Sequence, residues 1–150
     1  MTGEQLCGRW RLVSYVARAH DGSLTYPFGA DARGSLVYTE GGWMAAQLCA
    51  GDRGALGTAD LLGGSEAERA EAFSGYVAYC GSYEVRGDVV VHHVAMSLFP
   101  NWVGSEQARS FVVAGDELVL RTPPIEAGGA SLSYEFRWRR EEPRPFPAGS

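Results

Sequence analysis

VVVHHVAMSLFPNW, residues 89–102, sets two histidines side by side in a run otherwise built of apolar residues. Valine and phenylalanine favour an extended chain, and Pro100-Asn101 closes the segment, so it reads as a β-strand. Successive strand side chains point to opposite faces. One histidine therefore enters whatever the sheet encloses and the other leaves it, and the pair cannot ligate one ion together. One parity groups His92, Val94, Met96 and Leu98; the other groups His93, Ala95, Ser97 and Phe99. Periodicity alone does not choose between them. The reading adopted turns His93, Ala95 and Ser97 inward, because small and polar side chains leave volume and hydrogen-bonding groups in a cavity. The larger apolar row then packs beneath a helix or a second copy of the chain, which leaves room for a homodimer.

Outward from this strand, the same alternation recurs. Gly8-Arg9-Trp10 opens a segment in which Trp10, Leu12, Ser14 and Val16 share a face. Gly34 to Thr39 and Trp43 to Cys49 form a hairpin around Glu40-Gly41-Gly42. Tyr76 to Val85, Val89 to Phe99, Gln107 to Ala114, Glu117 to Thr122 and Ser131 to Arg140 complete eight strands. Ser65-Glu66-Ala67-Glu68 is a capping box, so a short helix is expected over Glu66 to Gly75, between the third and fourth strands, with Ala67, Ala70 and Phe73 on its inner side. Serial antiparallel strands of this number point to an all-β fold, an eight-stranded up-and-down barrel whose interior admits one small ligand. Residues 1–140 are assigned to the barrel and 141–150 to a proline-rich tail.

Composition narrows the function classes. A net charge of −5, with no basic cluster longer than Arg137-Trp138-Arg139-Arg140, argues against nucleic acid as a partner. No apolar run approaches the roughly 20 residues that span a bilayer, so no membrane partner is expected. Met1 to Gln5 shows no signal-peptide features. With Cys7, Cys49 and Cys80 an odd set, reduced thiols and a cytoplasmic location are the expectation. Neither cysteines nor histidines show metal-ligand spacing, and no glycine-rich phosphate motif precedes a helix, so neither metal nor cofactor is expected.

Gly8-x-Trp10 resembles the Gly-x-Trp signature of lipocalin-type barrels. The wider set of Gly8-Arg9-Trp10-Arg11-Leu12-Val13-Ser14, Tyr26-Pro27-Phe28-Gly29, Gly34-x-Leu36-x-Tyr38, Phe73-x-Gly75-Tyr76, Tyr79-x-Gly81-x-Tyr83, His92-His93-Val94, Ser97-Leu98-Phe99-Pro100-Asn101-Trp102-Val103-Gly104 and Thr122-Pro123-Pro124 is similar to the bacterial and fungal lipocalin-like domain family over about residues 6 to 140. It departs from that pattern at Ala95, where an acidic residue is common. The resemblance implies a barrel with an internal pocket, floored by the tryptophan under a late-strand arginine, with Arg137 or Arg139 as candidates. Some similar barrels act as cyclases or isomerases in natural-product pathways.

Residue chemistry supplies the rest. An inward His93 would be an interior group titrating near neutrality, suited to acid/base work, and Tyr79 would polarise a carbonyl or enol oxygen. These two are the candidate catalytic residues. Trp10 and Ser14 on the first strand, Tyr38 and Tyr83 with their amphipathic rings, Ser97, and Met44 and Trp102 near strand ends are candidate ligand contacts. Arg109 and Glu135 join them if their strands have the right parity, and are otherwise solvated charges. The expected function is a small-molecule-binding barrel, a cofactor-independent cyclase or isomerase of a hydrophobic natural-product intermediate, with a non-catalytic carrier as the alternative.

Overall fold

The computed structural model describes residues 3–145. Eight long antiparallel strands close a barrel: β1 (Gly8–Ala19), β3 (Arg33–Tyr38), β4 (Trp43–Cys49), β5 (Tyr76–Arg86), β6 (Val89–Ser97), β7 (Glu106–Ala114), β8 (Glu117–Arg121) and β10 (Ala130–Glu141). Each pairs with its neighbour in the series, and β1 pairs with β10 to close the ring. Two short strands add to the rim, β2 (Leu24–Thr25) on β1 and β9 (Ile125–Ala127) on β10. Both are too short to show an alternation in sequence. Because β2 precedes it, the single helix α1 (Glu66–Ser74) follows the fourth strand in chain order and not the third. β10 runs one residue into the segment assigned to the tail, and residues 146–150 lie outside those described.

The capping box at the start of α1 is formed: Glu68 N–H donates to Ser65 Oγ at 3.1 Å, and Ser65 N–H donates to Glu68 Oε1 at 2.9 Å. Glu68 Oε2 also accepts from the Gly57 amide at 2.9 Å, tying the glycine-rich loop to the helix. The inner face expected from Ala67, Ala70 and Phe73 does not exist, for no residue of α1 is buried. Two small alanines and one phenylalanine make too thin a stripe to draw the helix into the core.

One end of the barrel is sealed. Trp10 is fully buried and donates its Nε1–H to the Leu6 carbonyl at 2.8 Å, within the turn of helix at Gly3–Leu6 that plugs this end. The guanidinium above the tryptophan belongs to Arg140, 4.2 Å from the ring centroid. Arg137 and Arg139, which alternation places on the outer face of β10, are paired with Glu135 and Glu117 instead. Arg140 also donates to the carbonyls of Cys7 at 2.6 Å and Gln5 at 2.8 Å, so one side chain fastens the last barrel strand to the N-terminal plug.

Two bulges decide which side chains reach the interior. In β1 the register steps from Leu12↔Trp138 to Ser14↔Arg137, so Val13 is the extra residue and parity inverts beyond it. In β6 it steps from Gly81↔Val94 to Cys80↔Met96, making Ala95 the extra residue. Opposite the second bulge a Cβ on Gly81 would lie 1.8 Å from the His93 carbonyl oxygen, so the strands approach there only because residue 81 has no side chain.

Candidate ligand-binding site

Beyond the Trp10 plug the interior is hollow. A cavity of about 470 Å³ lies inside the strands, within the range of small-molecule sites. Its walls are largely apolar and aromatic, with Tyr15, Phe136, Tyr79 and Trp102 prominent, and Phe28, Ser74 and Ile125 stand where it opens. Tyr15 stacks on Phe136 at 4.8 Å and meets Phe28 edge-on at 5.4 Å, forming one aromatic wall. Burial, with Tyr134 beside it, pushes the Tyr15 phenol up to about 12.

The inward histidine is His92. It is 1% exposed and held between two phenols, with Tyr38 Oη 2.6 Å from Nε2 and Tyr79 Oη 2.7 Å from Nδ1. Burial, with Arg109 and His93 adding positive charge nearby, lowers its pKa to about 3, so the ring is neutral. A neutral imidazole has one donor and one acceptor nitrogen. Among the described residues Tyr38, itself fully buried, meets no acceptor other than Nε2. Tyr38 therefore donates to Nε2, Nδ1–H donates to the Tyr79 oxygen, and the Tyr79 proton is left free to point into the cavity. Each bond polarises the next, so Tyr79 is a strengthened donor toward whatever occupies the lumen.

The inward parity adopted for His93 is thus reversed. His93 lies on the outer face, its Nε2 2.7 Å from Glu84 Oε1 and its Nδ1 3.5 Å from Glu106 Oε1. Volume and polarity argued for the smaller row, but imidazole between two inward tyrosines is better satisfied than imidazole against apolar rings.

Of the other candidate residues, Tyr79, Trp102 and Arg109 line the cavity. Tyr38 stands behind His92 and does not reach the lumen surface, while Met44 and Trp10 belong to the packed core. Tyr83 packs edge-on to Tyr38 at 4.8 Å and donates to the Thr39 carbonyl at 2.7 Å, away from the cavity. Ser14 faces outward because the β1 bulge inverts parity just before it, which brings Tyr15 in. Ser97 lies past the β6 bulge; its hydroxyl accepts from the Phe99 amide at 3.1 Å and it lines a groove on the outer surface. Glu135 also faces outward, receiving Arg121 Nε at 2.8 Å and Arg137 Nε at 3.0 Å. Burial raises its carboxyl, and the two guanidiniums outweigh that and hold it below the usual range. Among the described residues no cluster of three metal-ligating side chains is present, and no helix is long and apolar enough to cross a membrane.

Sequence reasoning passed over His92, Tyr15, Gln107, Tyr134, Phe136 and Trp138 as lining residues. The alternation of Gln107, Arg109 and Phe111 held the signal for one of them, and Tyr134-Glu135-Phe136 held it for two, with the opposite parity chosen.

Three comparisons bear on this barrel. A family model described as a lipocalin-like domain matches residues 7–141. The "4'-hydroxy-3'-methoxypropiophenone carrier protein ppsC" of Aspergillus oryzae (strain ATCC 42149 / RIB 40) is 33% identical over 90 residues, which span 54% of this chain and 81% of that protein. A solved structure titled "REP1-NXSQ fatty acid transporter" superposes with a TM-score of 0.43 at 11% identity, over 94% of this chain and 99% of its own. The family match runs from the residue before β1 to the last residue of β10, the closed ring described above, and the chain belongs to the lipocalin-like domain family.

Proposed function

We propose that this chain is a carrier that holds one small, largely apolar molecule in its lumen and hydrogen-bonds an oxygen of that molecule through Tyr79. The observation that carries this reading is the cavity of about 470 Å³ with an aromatic wall and the Tyr38–His92–Tyr79 chain ending in a donor at its surface. A flat aromatic ketone suits such a site: the ring lies against Tyr15 and Phe136 while the carbonyl accepts from Tyr79. The name of the Aspergillus oryzae relative, a carrier of an aryl ketone, supports the same class of ligand.

The same chain of three side chains is what a cofactor-independent cyclase or isomerase would use. Tyr79 would protonate an enolate oxygen, Nδ1–H would replace that proton, and Tyr38 would give its proton to the bare Nε2, leaving the other neutral tautomer. The relay then ends on a Tyr38 phenolate. Burial pushes that phenol well above its ordinary value, so the last step runs uphill and holding the ligand is favoured over converting it.

The test is a titration with 4'-hydroxy-3'-methoxypropiophenone followed by the fluorescence of Trp102 and Trp138, with the probe then recovered and identified by mass. Saturable one-to-one quenching and unchanged probe are expected. Conversion of the probe would establish the enzyme reading in place of the carrier. No saturation with this ketone or with a neutral apolar fluorophore would overturn the proposal.

A further inference from the structure

Arg109 stands in the lumen without an acidic partner. Glu135, the other charged residue considered for the interior, is on the outer face and engaged by Arg121 and Arg137. Among the described residues no carboxylate lies within ion-pair distance of the Arg109 guanidinium. It donates to the Ala108 carbonyl at 2.9 Å and to Gln107 Oε1 at 3.2 Å, which uses two of its five N–H groups. Its Cζ lies 6.0 Å from the centroid of the Phe136 ring, so the charge sits against the aromatic wall of the cavity.

Two further donors share this space. Trp138 lines the cavity and is 2% exposed, and its Nε1–H has no acceptor. Tyr79 presents the hydroxyl proton assigned above. Of the acceptors in the lining, Gln107 Oε1 is engaged by Arg109 and Thr122 Oγ1 by the Tyr134 amide at 2.9 Å, and the rest are hydroxyls that also donate. The cavity is therefore rich in donors, carries a positive charge and shows no negative one among the described residues. An occupant that brings only carbon would strip water from the guanidinium and from Tyr79 and return nothing. An occupant that brings a negatively charged oxygen gains charge-assisted bonds where the dielectric is low.

We infer that the natural ligand carries an anionic oxygen, a carboxylate or an ionised phenol or enol, seated on Arg109 with its apolar body against Tyr15 and Phe136. This rests on the carrier reading and narrows it. Arg109's charge also acts on Tyr15, Tyr38, Tyr79 and His92, disfavouring the imidazolium and favouring the phenolates, which places the guanidinium within electrostatic reach of the whole polar patch.

The experiment compares cinnamate with cinnamamide, a neutral molecule of nearly the same shape, by calorimetry. In parallel 4-nitrophenol, whose absorption reports its ionisation, is titrated at a pH where the free phenol is half ionised. Wild type should bind cinnamate about tenfold or more tightly than cinnamamide, or 4-nitrophenol should become more ionised on binding; the arm that responds tells a carboxylate from a phenolate. Arg109→Met should remove the preference, and Arg109→Gln, which keeps hydrogen-bond donors, is the second variant in case the first fails to fold. Equal affinity for acid and amide together with nitrophenol bound un-ionised would overturn the inference and leave the carrier standing. A preference that survives in both variants would also overturn it. Binding of neither the acid, the amide nor the phenol would bring down the carrier reading as well.

Discussion

Replacing His92 by glutamine should flatten the response of this protein to acid. In the unfolded chain the imidazole takes a proton near its ordinary value of 6.5, whereas in the barrel burial between Tyr38 and Tyr79 lowers that value to about 3. Between these values the unfolded chain binds a proton that the folded chain refuses, so stability is lost as pH falls from 6.5 toward 3. One such group costs about 2 kcal/mol by pH 5 relative to pH 8. Glutamine offers one donor and one acceptor to the same two phenols and does not titrate. It will lower stability at every pH through imperfect packing, but that offset is constant, and the remaining sequence is common to both proteins. Urea denaturation followed by circular dichroism at several pH values between 8 and 5 gives the difference directly. Wild type should lose about 2 kcal/mol more than the variant over that interval. Parallel profiles would mean that His92 is protonated or solvated in the folded protein, and the assignment of Tyr79 as a donor into the lumen would go with it.

Gly81→Ala should destabilise the barrel by about 3 kcal/mol or prevent folding, because its Cβ would sit 1.8 Å from the His93 carbonyl and only movement of two paired strands relieves it; a melting temperature close to wild type would contradict this. Arg140→Met should cost about 1–3 kcal/mol in urea denaturation, since it removes the cation over Trp10 and two charge-assisted bonds to the plug at once. Glu135→Gln should leave ligand affinity unchanged and cost about 1 kcal/mol at neutral pH, as both arginine partners are half in solvent. The carboxyl is held below its ordinary value, so that contribution is present above about pH 4.5 and disappears as pH falls through the folded value; a difference between the two proteins that grows as pH is lowered below 4.5 would be inconsistent with this.

The barrel was readable from residues 8 to 140 because alternation, turn glycines and the capping box agree with one another along the chain. The interior was less readable, for a reason visible at two positions. A period of two carries a parity assignment along a strand only while the strand has no extra residue, and β1 and β6 each contain one, Val13 and Ala95. Reading Trp10 forward put Ser14 inside, whereas the bulge puts Tyr15 there. The choice of His93 over His92 failed differently: it weighed side-chain volume on one strand, while the deciding interaction is a pair of phenols contributed by β3 and β5. Such a pairing across strands distant in sequence leaves no local trace. For Arg109 the sequence left the parity open; β7 contains no bulge between Gln107 and Phe111, so these three share a face, and only the closed ring shows that it is the inner one.

That the lumen is where a ligand sits can be tested most directly by isotope-filtered nuclear Overhauser spectroscopy of the labelled protein with 4'-hydroxy-3'-methoxypropiophenone bound. The account requires cross-peaks from the ligand's aromatic protons to Tyr15, Trp102 and Phe136. Cross-peaks confined to Met96 and Leu98, in the groove on the outer surface, would contradict it.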